Sequence, residues 1–361
     1  MNDYPQFILK PTEDIPNEGK ISCSAPSNIA LVKYWGKRPV QLPENASISF
    51  TLDHCKTETT VWYAKKEEAG NTFDFELFFE GALKPSFRPK IQKFFERVYP
   101  YLPFLKQYTF RIETTNTFPH SSGIASSASG MSALSYCLMG LEKKMHPEMT
   151  EEAFLKKASF LARLGSGSAC RSIEGPVEVW GAHADITGSD DAYAVKFPYE
   201  IHDHFSGYRD LILLVDKGEK QVSSTVGHDL MHGHPFAKQR FEQAKENISK
   251  IKEVLINGDQ DAFIKIVESE ALSLHAMMMT SMPYFILMKP NTLSIINKIW
   301  DYRKATGSKV CFTLDAGANV HVLYPEKEKE TVLEFVKKEL VGYCQKGQYI
   351  CDKIGTGAKF L

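Results

Sequence analysis

"HSSGIASSASGMSALSYCLMG", residues 120–140, crowds serine and glycine into its first half and then runs directly into an apolar, helix-like stretch. Upstream, "YTFRIETTNTF" (108–118) alternates polar and apolar residues, the period of a half-buried strand, and Pro119 ends it. A strand, a small-residue loop and a helix beginning near Ser127 together present unpaired backbone N–H groups and the positive end of a helix dipole to an anion. Glycines let a ligand approach the backbone, and serine hydroxyls add donors or metal contacts. Two common glycine signatures are absent: no Lys follows Gly130 as GxxxxGK[ST] requires, and "GSGSAC" (165–170) ends in Cys where GxGxxG needs Gly. On the loop alone, an ordinary helix start after a flexible loop is as good a reading as a phosphate cradle.

Working outward, strands and helices are mixed on both sides of this segment. "ISCSAPSNIALVKYW" and "ASISFTLDHCKTETTVWYA" read as short strands broken by turns, and Ile91, Phe94, Phe95 and Val98 have helical spacing. A second block begins near residue 200 with the apolar strand "YRDLILLVDKG", followed by helical patterns at 234–256, 260–279 and 291–305. "KVCFTLDAGANVHVLYP" reads as strand, tight turn and strand, and "KEKETVLEFVKKEL" as a last helix. This order implies an α+β fold of two lobes, 1–199 and 200–361.

The 361 residues are 43% hydrophobic and 24% charged, with a formal net charge of -1. That composition is globular, and the charge argues against a nonspecific nucleic-acid binder, which needs clustered Lys and Arg. No apolar run approaches a membrane span and the N-terminus lacks a signal-peptide pattern, so a cytoplasmic protein with no membrane or nucleic-acid partner is expected. The seven cysteines have no CxxC spacing and are expected to be thiols, with Cys170 in a packing role.

Further stretches carry chemistry. "GSGSACRS" (165–172) packs small residues around the guanidinium of Arg171, which suits bidentate contact with phosphate or carboxylate. Two such small-residue sites in one chain favour an anionic substrate beside an anionic nucleotide over mere close packing. In "SNIALVKYWGKRP" (27–39), strand alternation puts Lys33 on the face of Leu31, aiming it into a cleft rather than at solvent. Asp315 in "TLDAGANVHV" (313–322) sits at a strand end, where a turn-forming role competes with a site role. "GHDLMHGH" (227–234) gathers histidines but lacks the Glu of a zinc-protease motif, and the Met-rich "HAMMMTSMP" (275–283) reads as core or pocket lining.

Taken together, "SNIALVKYWGKR", "LPENASISFTL", "GIASSASG", "GSGSACRSIEG", "QVSSTVG" and "LDAGANV" resemble, in order and spacing, the diphosphomevalonate decarboxylases of the GHMP kinase superfamily. The resemblance runs from about residue 24 to 320. It implies a GHMP kinase-like two-lobed fold, ribosomal protein S5 domain 2-like in its N-terminal part and ferredoxin-like in its C-terminal part, with the active site in the cleft between them. It also implies ATP-dependent, Mg2+-requiring decarboxylation of mevalonate 5-diphosphate to isopentenyl diphosphate through phosphorylation of the 3-hydroxyl. Carried over residue by residue, Asp315 faces that hydroxyl, Lys33 accompanies it, and Arg171 takes the substrate carboxylate. Tyr34, Lys37, Ser166, Ser168, Ser223 and Ser224 complete the substrate pocket. Ser121, Ser122, Gly123, Ala125, Ser126 and Ser127 hold the ATP phosphates, with Ser127 also reaching Mg2+. The resemblance further implies a homodimer. A phosphomevalonate decarboxylase, another small-molecule kinase of the same superfamily acting on a hydroxy acid, and a non-catalytic ligand sensor are the competing readings.

Overall fold

Two long strands organise the molecule. β1 (Glu18–Val32) and β4 (Ser47–Lys65) run antiparallel against each other, and between them β2 (Lys37–Arg38) and β3 (Leu42–Pro43) form a small hairpin. The expectation of short, turn-broken strands is corrected here. Ser, Pro and Asn interrupt the apolar pattern, yet the chain runs through them by shifting register between Pro26 and Asn28 and between Ala30 and Val32. The interrupting polar groups find partners: Ser27 Oγ donates to the Ile124 carbonyl at 2.8 Å, and Asn28 Nδ2 to Ser172 Oγ at 2.8 Å. Beyond Ser22 every residue of β1 is buried, so its distal part is covered on both faces rather than on one.

The computed structural model describes residues 4–12, 15–68, 70–119, 124–217 and 224–361, and for 224–225 the backbone alone. β5 (Asp74–Phe79), β6 (Ala82–Leu83) and β7 (Tyr108–Asn116) extend the first sheet in the order β1-β4-β7-β5-β6. β8 (Val177–Trp180) pairs with the start of β4 and in turn with β9 (Ala194–Lys196). α1 (Arg88–Val98), α2 (Ser126–Met145) and α3 (Glu151–Gly165) supply the helical side of the first core. α1 buries Ile91, Phe94, Phe95 and Val98, the residues its spacing marks, and each such side chain contributes roughly 1.5–3 kcal/mol by leaving water. α3 starts where Thr150 Oγ1 accepts the Ala153 N–H at 3.2 Å, an N-cap that satisfies one orphan donor.

In the second half, β10 (Arg209–Leu213) is followed by α4 (Ser224–Asp229), α5 (Ala237–Asn257), α6 (Gln260–Met279) and α7 (Pro290–Thr306). β11 (Cys311–Thr313), β12 (Val320–Tyr324), α8 (Lys329–Phe335) and β13 (Tyr349–Lys353) complete it, with a sheet in the order β11-β12-β10-β13. α6 packs against β11 of this sheet and also against β1 of the first, so one helix touches both. The tail returns as β14 (Lys359–Phe360) to pair with β1, Phe360 opposite Cys23. A further tie is Asp352, whose carboxylate accepts the N–H groups of Asp53, His54 and Cys55 at 2.7–3.0 Å.

All seven cysteines are free thiols, six of them buried. Cys170 Sγ donates to the Gly167 carbonyl at 3.0 Å, and burial pushes its thiol far up, so it is packed and unreactive. Among the described residues no helix is long and apolar enough to cross a membrane.

Candidate active site

Lys33 follows directly on β1 and Asp315 comes two residues after β11, and the fold brings them together across 282 positions of sequence: Lys33 Nζ donates to Asp315 Oδ1 at 3.1 Å. Lys33 is 2% exposed, but Leu31 and Val32 on opposite faces are both fully buried, so it is cover on both sides of this stretch, and not strand alternation, that keeps the lysine from solvent. Burial pushes the ammonium pKa down, and the charges of Asp315 and then Glu270 pull it back up. Asp315 keeps about a quarter of its side chain open, and its carbonyl accepts from His275 Nε2 at 3.1 Å. That bond fixes the proton of His275 on Nε2, and burial pushes this ring down to about 4, so it stays neutral.

The backbone of Lys33 is held as firmly as its head. Its N–H donates to Glu270 Oε2 at 2.8 Å, and its carbonyl accepts Asn45 Nδ2 at 3.0 Å. Glu270, on α6, is fully buried and also accepts from Arg240 through Nη1 at 3.0 Å and Nη2 at 2.5 Å, and from Asn247 Nδ2 at 2.6 Å, both residues of α5. A buried carboxylate needs such saturation, because one unpaired partner there costs several kcal/mol. These anchors were missed from sequence. A signal existed: Glu270 sits in line with Phe263, Val267 and Leu274, on the apolar stripe of α6, and Arg240 and Asn247 lie seven apart on the buried face of α5.

Arg171 lies in the 3-10 helix Gly167–Ser172 that follows α3. Its Nε donates to Ser49 Oγ and its Nη1 to Ser47 Oγ, both at 2.6 Å, and the guanidinium lies over the Trp180 ring at 5.7 Å. It is 2% exposed, yet among the described residues it has no carboxylate within ion-pair distance. A buried cation held by neutral hydroxyls is electrostatically incomplete, which is the condition of a group awaiting an anion. Ser47 and Ser49 were not singled out in the sequence, although "NASIS" places them on one face of β4.

Tyr34 lies edge-on to Trp180 and 4.2 Å from the ring of His228, and burial raises its phenol pKa. Lys37 pairs with Asp229 at 3.5 Å. The methionine stretch packs around Trp35, with Met231, Leu274 and Met278 against the indole, so it supports the site from below.

The two serine-rich segments meet: Ser127 Oγ lies 3.4 Å from Ser166 Oγ. α2 begins at Ser126, with Ala125 in the left-handed region at φ 40° and no capping side chain among the described residues; the Ala128 N–H turns back to the Ala125 carbonyl at 2.7 Å, and the N–H groups of Ser126 and Ser127 remain for a ligand or water. Ser168 contributes its carbonyl, which accepts Asn28 Nδ2 at 3.2 Å. A cavity of about 200 Å3 opens beside Ser126 and Ser127, lined among others by Thr57, Phe79, Ile112 and Met131. Ser121, Ser122, Gly123 and Ser223 lie outside the described residues, and Ser224 is described only as the first backbone position of α4.

Among the described residues no cluster of three or more His, Cys, Asp and Glu is arranged to hold a metal ion. His228, in the histidine-rich stretch, accepts the Gly36 N–H on Nδ1 at 3.0 Å, and His234 Nε2 lies 3.1 Å from the Met277 carbonyl.

Residues 25–194 match the model of the diphosphomevalonate decarboxylase-like N-terminal domain, and 210–356 that of the mevalonate 5-diphosphate decarboxylase C-terminal domain. The chain is 31% identical over 332 residues to the diphosphomevalonate decarboxylase of Aspergillus fumigatus, covering 88% of this chain and 80% of that one. The mevalonate diphosphate decarboxylase of Staphylococcus aureus superposes with a TM-score of 0.81 at 26% identity, over 95% of this chain and 98% of that one. MDDEF, solved in complex with MVAPP, AMPPCP and magnesium, superposes with a TM-score of 0.79 at 29% identity, over 95% and 99%.

Proposed function

The chain belongs to the diphosphomevalonate decarboxylase family, and from that membership we propose how its cleft divides the work. The reaction is ATP-dependent: mevalonate 5-diphosphate and ATP give isopentenyl diphosphate, ADP, phosphate and CO2. The observation that carries the assignment of roles is the Lys33–Asp315 contact beside a buried Arg171 that has no carboxylate in ion-pair distance among the described residues.

The tertiary 3-hydroxyl is a crowded nucleophile and its hydroxide a poor leaving group. Asp315, oriented by Lys33 and by the His275 bond to its carbonyl, receives the hydroxyl proton and holds the oxygen in line for phosphoryl transfer. The Lys33 ammonium faces the charge that spreads over the transferring group. Arg171 binds the carboxylate and keeps it dry beside C3, so that loss of phosphate leaves a positive centre that draws electrons from the breaking C–C bond. Tyr34, Lys37, Ser166, Ser168, Ser223 and Ser224 hold the rest of the substrate, with Lys37 at the diphosphate end.

The first turn of α2, the hydroxyls of Ser126 and Ser127 and the adjoining cavity fit a nucleoside triphosphate, its phosphates on the helix start and its base in the apolar cavity. Ser121, Ser122, Gly123 and Ala125 complete that cradle in the proposal. Bound ATP and Mg2+ supply the phosphoryl group and neutralise its charge. With no carboxylate cage among the described residues, the cation would be held by the nucleotide's own phosphates and by Ser127 Oγ. MDDEF in complex with MVAPP, AMPPCP and magnesium supports the same pairing of ligands here. Self-association into a homodimer is part of the proposal, supported by the exposed apolar Met282, Tyr284 and Ile286 after α6 and checked by sedimentation.

The test follows ADP and CO2 together while the pure protein turns over mevalonate 5-diphosphate with ATP and Mg2+. Equal amounts of both are expected. ADP without CO2 would make the protein a kinase, and neither product would make it a ligand sensor.

A further inference from the structure

The histidine-rich stretch is left without a role by the reaction described above, and one of its rings is built into the substrate end of the cleft. His228, the fifth residue of α4, is 8% exposed. Its ring lies 4.2 Å from Tyr34 and 4.6 Å from Trp35, centroid to centroid. Nδ1 accepts the Gly36 N–H at 3.0 Å, so the proton of the neutral ring sits on Nε2. Nε2 has no hydrogen-bond partner among the described residues and is absent from the polar atoms sealed in the interior. The cations that act on the ring are Lys37 and, more weakly, Arg171. Together with burial they push the imidazole pKa down to about 3, so the ring remains an uncharged donor at working pH.

An unused N–H, nine-tenths buried, beside Tyr34 and Lys37 has an obvious chemical complement: an anionic oxygen. We propose that His228 is a substrate-binding residue whose Nε2–H donates to an oxygen of the 5-diphosphate group, alongside Lys37. This rests on the reading of the cleft given above, which assigns Lys37 to the diphosphate end. Lys37 supplies the charge, its mostly buried side chain held near Asp229. His228 supplies direction, because Gly36 and two aromatic rings fix the plane of its imidazole. Lys37 also shares its charge with Asp229, the neighbour of His228 on α4, so the turn at 34–37 and α4 grip the same end of the ligand.

The test separates the donor from the scaffold. His228→Asn keeps an acceptor near the Nδ1 position for Gly36 but removes the Nε2–H, whereas His228→Gln carries an amide N–H out to about the Nε2 position. For His228→Asn the KM for mevalonate 5-diphosphate should rise roughly 10-fold or more, the loss expected for one hydrogen bond to a charged group. The KM for ATP and the melting temperature should stay near wild type. The inhibition constant of isopentenyl diphosphate, which keeps the diphosphate but lacks the carboxylate, should rise by the same factor, and His228→Gln should recover most of both losses. Three outcomes overturn the proposal. Unchanged constants in His228→Asn mean the N–H touches nothing. A rise in substrate KM with an unchanged isopentenyl diphosphate constant puts the contact at the carboxylate end. Equal loss in both variants with a lowered melting temperature makes the ring a packing element. Failure of the underlying reading looks different, because wild-type protein itself would then release no CO2.

Discussion

The two ends of the cleft are built from opposite materials. At the start of α2 the binding groups are main-chain N–H and serine hydroxyls, the Ser127 and Ser166 side chains barely touch, and among the described residues no ion pair is formed at the first turn, Lys90 lining the adjoining cavity. At the other end Lys33, Arg171, Glu270 and Arg240 are all at least 98% buried or fully buried, and each is tied by hydrogen bonds to a different element. The first design binds a polyanion by dipoles that cost little to leave in water. The second holds fixed charges in a dry interior, where they are expensive to bury but strongly coupled to charge that develops in the reaction. Nucleotide binding should therefore yield gradually to mutation, and chemistry abruptly.

The sharpest way to break this contrast is Asp315→Asn. Turnover should fall at least ~100-fold while nucleotide affinity, read by fluorescence titration, is largely kept, since a positioned group assisting proton transfer contributes about that much. Near wild-type turnover would remove Asp315 from the mechanism. Arg171→Ala comes next, with kcat/KM for the diphosphate substrate expected to drop roughly 10- to 100-fold, mostly through KM, as a charge-assisted contact is lost. A larger rise in the KM for ATP than for substrate would exchange the two ends.

Glu270→Gln tests the anchor behind Lys33. Leaving Arg240 buried without its carboxylate should lower the unfolding free energy by about 3 kcal/mol, measured in urea, and reduce kcat several-fold with the ATP KM unmoved. If stability drops and kcat does not, Glu270 supports the fold without positioning Lys33.

The buried histidines make stability depend on pH. His228 and His275 have folded-state pKa values depressed from 6.5 to about 3 and about 4. Below pH 6.5 the unfolded chain takes up protons that the native rings refuse, so the stability they support is present above 6.5 and lost as pH falls. At pH 5 the loss is about 2 kcal/mol for each ring. Urea unfolding at pH 7 and 5 should reveal it, and His275→Gln should lessen the difference; an equal pH dependence in the variant counts against it. The smallest effect belongs to Ser127→Ala. One exposed hydroxyl against many main-chain donors should raise the ATP KM only about 2- to 10-fold, and a 100-fold rise would make the nucleotide end as brittle as the other.

Much of the candidate site was legible in the sequence because its signals are local. The small residues around Arg171 and before α2 mark backbone open to an anion, whereas Lys33 is buried because both faces of the distal part of β1 are covered, which its spacing from Leu31 does not record. The anchors were harder to read. Ser47 and Ser49 look like ordinary strand residues until Arg171 lies against them, and the histidine of Gly36 gave only a metal-like pattern that the fold does not use. Ser, Pro and Asn in β1 suggested breaks where the strand continues, because bulges and partners from the residues just before α2 and from the 3-10 helix absorb them.

Residue order and type were enough to settle the kind of chemistry: an anion-binding helix start, a lysine after a strand, a guanidinium among small residues and an aspartate at a strand end. Periodicity, turn chemistry and spacing act over a few residues, and so they survive in a linear reading. Which of those groups meet was decided in three dimensions. Lys33 reaches Asp315 across 282 positions, and α6 brings Glu270 to the backbone of that same lysine across 237. Desolvation and ion pairing depend on what surrounds a charge in space, and no property of its own neighbours in sequence records that.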